Sequence, residues 1–340
     1  MEAISIGIVG CGYWGPNLLR NFAEIIGCRL QWICDLDSQR LAVMARRYPS
    51  AKLTSDYNQL LADRELDAVV IATPVATHFE FARLALEAGK HVLLEKPFTA
   101  STIEAEQLIE LARRKRLTLM VDHTFIYTGA VKRMKAIVDS GDLGELLYFD
   151  SVRVNLGLFQ KDINVVWDLA PHDLAIMDYI LEYKPISVSA TGSCHIEKGI
   201  ENIAYVLLRF PGEFIAHFHF NWLSPVKIRK MLLAGSSKMV VYDDIEPTEK
   251  IRIYDKGVTS NRNGEEREKA YETLVSYRTG DVWVPKLDHT EALHYVCTEF
   301  LDSIREKRPP LTDGNAGLRV VRLLEAAEQS MRENGRFVPV

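Results

Sequence analysis

An apolar, strand-like run from Ile4 to Val9 leads directly into Gly10-Cys11-Gly12-Tyr13-Trp14-Gly15 and then into a helical stretch, and Asp35 ends the next apolar run 20 residues beyond Gly15. Few folds accept that order of parts. Gly10 permits a tight turn, Gly12 lets backbone approach a pyrophosphate, and Gly15 lets the helix pack on the strand, while the helix N-terminus attracts phosphate. Pro16 suits a first helical turn, where a missing N–H costs little. The plain alternative is a glycine-rich turn that holds no ligand. Asp35 can accept hydrogen bonds from both adenosine ribose hydroxyls and would repel a 2′-phosphate, which favours NAD over NADP, with Arg40 as the opposing consideration. Asp35 can equally be read as a strand end or as the cap of the helix from Ser38.

Up to about residue 121 the pattern continues as βαβ units on a parallel sheet. The strands expected are Ile4 to Val9, Leu30 to Cys34, Ala68 to Ala72, His91 to Leu94 and Leu117 to Val121. Helices fall at Pro16 to Ile25, Ser38 to Arg47, Tyr57 to Ala62, Thr77 to Ala88 and Ser101 to Lys115, the last opened by a Ser101/Glu104 capping box. After residue 122 a helix near Gly129 to Ser140 precedes alternating segments at Leu147 to Val154, Ile186 to Ser193, Ala204 to Phe210, Ile215 to Phe220 and Lys230 to Leu233. Alternation of this kind predicts a mainly antiparallel sheet with one covered face. Residues 255 to 286 read as polar and irregular, and helix returns at His289 to Arg305 and Asn315 to Asn334. The expected fold is α/β: a Rossmann domain with a parallel sheet over 1–122, then an α+β domain with a large, mainly antiparallel sheet over 123–340.

Composition narrows the function. A chain of 340 residues, 47% hydrophobic, has material for more than one core. Its net charge of −5, with basic residues spread along the chain, supplies no stripe for a phosphate backbone, so nucleic acid is not an expected partner. No apolar run reaches the ~18 residues that cross a bilayer. The start, Met1-Glu2-Ala3-Ile4-Ser5, has none of the marks of a signal peptide. Cys11, Cys28, Cys34, Cys194 and Cys297 are odd in number and widely spaced, which suggests neither a disulfide framework nor a zinc site and fits a reducing cytoplasm. His217 and His219 share a strand face but lack a third ligand nearby; they read as sheet-surface residues, and no metal is expected.

Two further strand ends carry chemistry, Ala72-Thr73-Pro74 followed by His78, and Glu95-Lys96-Pro97. Both fall where open α/β sheets bind ligands, outside the carboxyl ends of the strands. Lys96 there would face the nicotinamide half of a crevice; the alternative is an ordinary surface lysine. Later, Asp168 and His172 are four apart, one helical turn, ahead of the apolar Leu174, Ile176, Met177, Ile180 and Leu181. From the residues alone Asp168 is as well read as an N-cap, with Pro171 in the first turn and His172 a satisfied core residue.

Taken together, Gly10-Cys11-Gly12-Tyr13-Trp14-Gly15, Ala72-Thr73-Pro74 with His78, Glu95-Lys96-Pro97, Trp167-Asp168-Leu169-Ala170-Pro171-His172-Asp173 and the ending Pro310-Leu311-Thr312-Asp313-Gly314 resemble the family of glucose-fructose oxidoreductase, inositol dehydrogenase and MocA over nearly the whole chain. The resemblance implies a soluble NAD-dependent oxidoreductase. It implies cofactor contacts from Gly10, Gly12, Tyr13, Trp14, Gly15, Asp35, Thr73, Pro74, His78, Glu95 and Lys96. It assigns His172 or Lys96 as the acid/base on a substrate hydroxyl, with Asp168 orienting. Removing hydride from a secondary alcohol also requires the hydroxyl proton to leave, and imidazole, with an ordinary pKa of about 6.5, suits that task. Substrate contacts are expected among His123, Tyr127, Arg153, Asn155 and Asn164. The stretch from Arg153 to Gly157 and the ending through Leu318-Arg319-Val320-Val321 look most like nucleotide-sugar enzymes acting at a ring secondary carbon such as C3. The other readings are an inositol or free-sugar dehydrogenase, and an NAD-sensing protein that has lost chemistry. The resemblance also implies homodimers or homotetramers through the open sheet face.

Overall fold

The computed structural model describes residues 3–157, 159, 163–260 and 275–340. Met1, Glu2 and residues 261–274 of the segment expected to be irregular lie outside the described residues. The chain divides into two compact units. One comprises Met1–Thr128, Leu174–Asp178 and His289–Glu325, the other Gly129–Asp173, Tyr179–Asp288 and Ala326–Val340. A single cut at 122 would give the C-terminal helical residues His289–Glu325 to the second unit; they belong to the first.

The first unit opens β1 (Ile4–Val9), α1 (Gly15–Glu24), β2 (Cys28–Cys34), α2 (Ser38–Arg47), β3 (Lys52–Thr54), α3 (Tyr57–Leu61) and β4 (Ala68–Ile71). It continues α4 (His78–Glu87), β5 (His91–Glu95), α5 (Thr102–Lys115) and β6 (Leu119–Asp122). The strands form one six-stranded sheet in the order β3-β2-β1-β4-β5-β6, and each neighbouring pair in it is parallel. Strand order reverses direction between β1 and β4, the topological switch at which such sheets take ligands. β1 and β4 are buried at every residue, as strands covered on both faces must be. Helix starts follow local chemistry: Asp37 caps α2 through the Gln39 and Arg40 N–H groups. Ser101 accepts from Glu104 N at 3.3 Å, while Glu104 returns a bond to Ala100 N at 3.1 Å. That is the anticipated capping box, with the return bond one residue earlier.

The second unit carries α6 (Gly129–Asp139), β7 (Leu146–Leu156), α7 (Val165–Ile180), β8 (Ser187–Ser193), β9 (Ile203–Arg209), β10 (Ile215–Asn221), β11 (Leu223–Gly235), β12 (Met239–Asp243) and β13 (Ile251–Tyr254). Short strands β14 (Gly257–Ser260), β15 (Val275–Arg278) and β16 (Val282–Trp283) follow, in the stretch the sequence suggested was irregular. The chain closes with α8 (Ala292–Glu306), α9 (Gly314–Arg332) and β17 (Val338–Pro339). Nine strands make the large sheet, β16-β13-β12-β11-β7-β10-β9-β8-β17, antiparallel except where β10 runs parallel to β7. Along β10, Ala216, Phe218 and Phe220 are buried while His217 and His219 stand on the other face, stacked against Tyr205. No cluster of potential metal ligands occurs among the described residues. No described helix is long and apolar enough to cross a membrane.

Candidate active site

In the first unit, the carboxyl ends of β1, β4, β5 and β6 carry the residues the sequence singled out. Gly10 adopts φ +94°, and a Cβ there would lie 2.5 Å from the Ala72 carbonyl oxygen. A Cβ on Gly15 would lie 2.0 Å from the Gly10 carbonyl oxygen, so helix and turn touch backbone to backbone. Gly12 differs, because the nearest atom to its absent Cβ is Arg40 Nη1 at 3.7 Å, leaving backbone that a phosphate can approach. Asp35, 8% exposed, accepts from Cys11 N at 2.5 Å and Asp37 N at 2.8 Å. Its carboxylate is thus fixed against the turn, and the cap of α2 is Asp37. Arg40 stands 3.8 Å from Asp35 and 3.4 Å from Asp37. Tyr13 is exposed, and Trp14 is the N-cap residue of α1, its indole Nε1 donating to Asp122 Oδ2 at 3.3 Å.

His78 is buried, with Nε2 at 2.9 Å from Thr73 O and Nδ1 at 2.9 Å from Pro97 O. It bridges the loop after β4 to the loop after β5, fixing both Thr73-Pro74 and the segment that carries Lys96. Burial pushes its pKa down, while the contacts with the Thr73 and Pro97 carbonyls push it up. Glu95 ends β5 in register with Asp122 at the end of β6. Immediately after β6, His123 is 2% exposed, and neither ring nitrogen has a hydrogen-bond partner among the described residues. Its pKa falls to about 4, chiefly through burial, partly offset by Asp178 and reinforced by Lys96 and Arg319. A neutral imidazole with an orphaned donor and acceptor at a strand end is suited to a polar ligand.

Tyr127 and the Pro310–Gly314 ending interlock. Tyr127 OH lies 3.1 Å from Thr312 Oγ1, which donates to Val121 O at 2.7 Å, and Val121 N donates to Thr312 O at 2.8 Å. Asp313 then accepts from Ala316 N at 2.9 Å at the start of α9. The ending thus braces the edge of β6, and Tyr127 is one of its struts.

In the second unit, α7 is capped by Asn164, whose Oδ1 accepts from Val166 N and Trp167 N at 3.1 Å each. Asn164 Nδ2 also donates to Glu201 Oε2 at 3.1 Å. Asp168 is therefore not the cap: its Oδ2 accepts from Trp222 Nε1 at 3.0 Å, and Trp222 is wholly buried. His172 follows one turn along the same helix, which runs through Pro171. Next to it, Asp173 takes Arg153 Nε at 2.6 Å and Ser151 Oγ at 2.7 Å, all three buried. This pairing clamps α7 to β7. Asn155, two residues beyond Arg153 on the same strand face, is half-buried. Arg153→Met leaves a buried carboxylate uncompensated and is expected to cost about 3–5 kcal/mol in denaturant unfolding. A loss of less than about 1 kcal/mol, the scale of a surface pair, would contradict the clamp.

Sequence reasoning missed Asp122, Trp222 and the Arg319–Asp178 pair, in which Arg319 Nε and Nη2 reach the carboxylate at 2.8–3.0 Å. Asp122 alone left a signal, as an acid ending an apolar strand.

Residues 4–123 match the model of an oxidoreductase family with an NAD-binding Rossmann fold, and residues 131–241 match the GFO/IDH/MocA C-terminal domain. UDP-N-acetylglucosamine 3-dehydrogenase from Acidithiobacillus ferrooxidans is 28% identical over 323 residues, 93% of each chain. Its crystal structure superposes with a TM-score of 0.82 at 25% identity, covering 98% of this chain and 99% of that one. Inositol 2-dehydrogenase 2 from Saccharopolyspora erythraea is 31% identical over 191 residues, 55% of this chain and 56% of its own. GenD2 from gentamicin A biosynthesis, solved with NAD, shares the fold, with a TM-score of 0.83 at 23% identity over 100% of this chain and 97% of that one.

Proposed function

The chain belongs to the GFO/IDH/MocA oxidoreductase family, and from that premise we propose that it exchanges hydride between NAD and a ring secondary carbon, C3, of a nucleotide sugar. That it is an NAD-dependent oxidoreductase of a family whose members act on sugars follows from the family itself. The observation that supports hydride exchange is the row of strand ends, an open glycine turn after β1, Lys96 after β5 and the imidazole of His123 after β6, and what supports a nucleotide sugar and its C3 is the likeness to UDP-N-acetylglucosamine 3-dehydrogenase along 93% of each chain. The residues fit the dinucleotide. The turn and Gly12 would hold the pyrophosphate, and Asp35, already fixed by Cys11 N and Asp37 N, would accept the ribose hydroxyls. Bound there, NAD supplies the hydride acceptor.

In this reading Lys96 hydrogen-bonds the reacting oxygen and aligns its carbon, and His172 or Lys96 takes the hydroxyl proton while Asp168, held by Trp222, orients the ring. His123 and Asn155 contact the sugar. Tyr127, Arg153 and Asn164, each engaged within its own unit, position the elements around them. Assembly into dimers or tetramers through the sheet face bearing Tyr205, His217 and His219 belongs to the same reading, and light scattering that reports a monomer would remove it.

Steady-state NADH formation over UDP-sugars, dTDP-sugars, free monosaccharides and inositols tests the substrate class. Turnover confined to nucleotide sugars supports the proposal. Turnover on inositol or free sugars alone would replace it with the polyol reading, and NAD binding without turnover on any of them would favour a sensor.

A further inference from the structure

Glu95 and Asp122 pair in register at the ends of neighbouring parallel strands, so two carboxyl groups meet in the interior of the first unit. Asp122 is 1% exposed and accepts from Thr124 Oγ1 at 2.5 Å and Trp14 Nε1 at 3.3 Å. Glu95 Oε1 is buried with no hydrogen-bond partner among the described residues, while the Asp122 carboxyl lies within hydrogen-bonding reach of the Glu95 side chain. Two adjacent buried anions repel strongly, and one proton between them turns the repulsion into a hydrogen bond.

We propose that Glu95 is a positioning residue that works as the neutral acid: it donates to Asp122, and Asp122 in turn holds the Trp14 indole and with it the glycine turn. The cluster joins the two ends of the cofactor edge, Trp14 at the start of α1 and the strand end that leads into Lys96. The electrostatics agree, since burial and then the Asp122 charge push the Glu95 pKa well above the ordinary carboxylate value, against the opposing pull of Lys96. The other ionisable groups facing the pair are the Cys297 thiol on α8, itself pushed up chiefly by burial, and the Tyr127 hydroxyl, held by Thr312. Neither can serve as a counter-cation. An ionised Glu95 would leave Asp122 repelled rather than held, and the indole would lose its anchor.

The inference rests on the glycine turn and Lys96 forming the cofactor edge, and not on the identity of the sugar. NAD binding measured by calorimetry without any sugar therefore tests it, and a wrong substrate assignment leaves these outcomes unchanged. Glu95→Met keeps the volume and removes the donor, and is expected to weaken NAD about tenfold, the scale of one lost buried hydrogen bond. Glu95→Gln, which still donates and cannot ionise, recovers most of that loss. Trp14→Phe weakens NAD to a similar degree, and the Glu95→Met/Trp14→Phe double variant binds no more weakly than the worse single, because both act through one contact. Glu95→Gln binding as poorly as Glu95→Met would make the anion the working form and overturn the proposal. So would Trp14→Phe binding NAD like the unaltered protein, or losses that multiply in the double variant. Trp14→Phe leaves β5 and β6 untouched, so its arm decides alone if Glu95→Met does not fold.

Discussion

Lys96→Met is expected to lower kcat by at least about 100-fold while NAD still binds, because the variant keeps the glycine turn and removes the group set to hydrogen-bond the reacting oxygen. His172→Asn falls on the same scale. The two differ in pH dependence: whichever residue takes the proton, its loss removes the acidic limb of the kcat profile, since the base must be unprotonated to act. Asp168→Asn preserves the helix cap, which Asn164 supplies, and disturbs the bond to Trp222 Nε1, so its loss reports orientation rather than unfolding. Near-normal turnover in all three variants would refute the assignment of roles.

The second large effect is expected at the turn itself. Gly15→Ala places a methyl 2.0 Å from the Gly10 carbonyl oxygen, a backbone atom with no rotamer through which to escape. Either α1 or the turn must shift, and a displacement near 1 Å suffices to cost about 100-fold in a positioned site. NAD affinity should fall by at least that factor, with a lowered melting temperature. Gly12→Ala separates cofactor binding from folding. Its methyl meets nothing closer than 3.7 Å, so the fold should hold while the pyrophosphate loses its close approach. Calorimetry and thermal melts on the pair check both statements. Gly12→Ala binding NAD normally would mean that the phosphates lie elsewhere.

The parallel sheet was legible because β1, β4, β5 and β6 are largely apolar runs and β2 ends in one, Trp32–Cys34, with helices between them. β3 was not: Lys52–Thr54 is three residues long, two of them exposed, and becomes a strand only by pairing with β2. The strands β14 to β16 depend on partners distant in sequence, which periodicity cannot supply. At the site, the residue types that perform chemistry could be named from their spacing, but their partners could not. Arg153 looks the same in a sequence whether it meets a sugar or Asp173. Asn164 and Asp168 are equally good caps on paper, and only the folded helix start chooses Asn164. Likewise Glu95 meets Asp122 because β5 and β6 align in one particular register, a fact no local pattern contains.

Hydride exchange at C3 is tested most directly with UDP-N-acetylglucosamine deuterated at that carbon and supplied with NAD. The proposal predicts slowed turnover and deuterium at C4 of the reduced nicotinamide. Reduced nicotinamide free of deuterium would place the reaction at another carbon, and no reduced nicotinamide would contradict the proposed chemistry on this sugar.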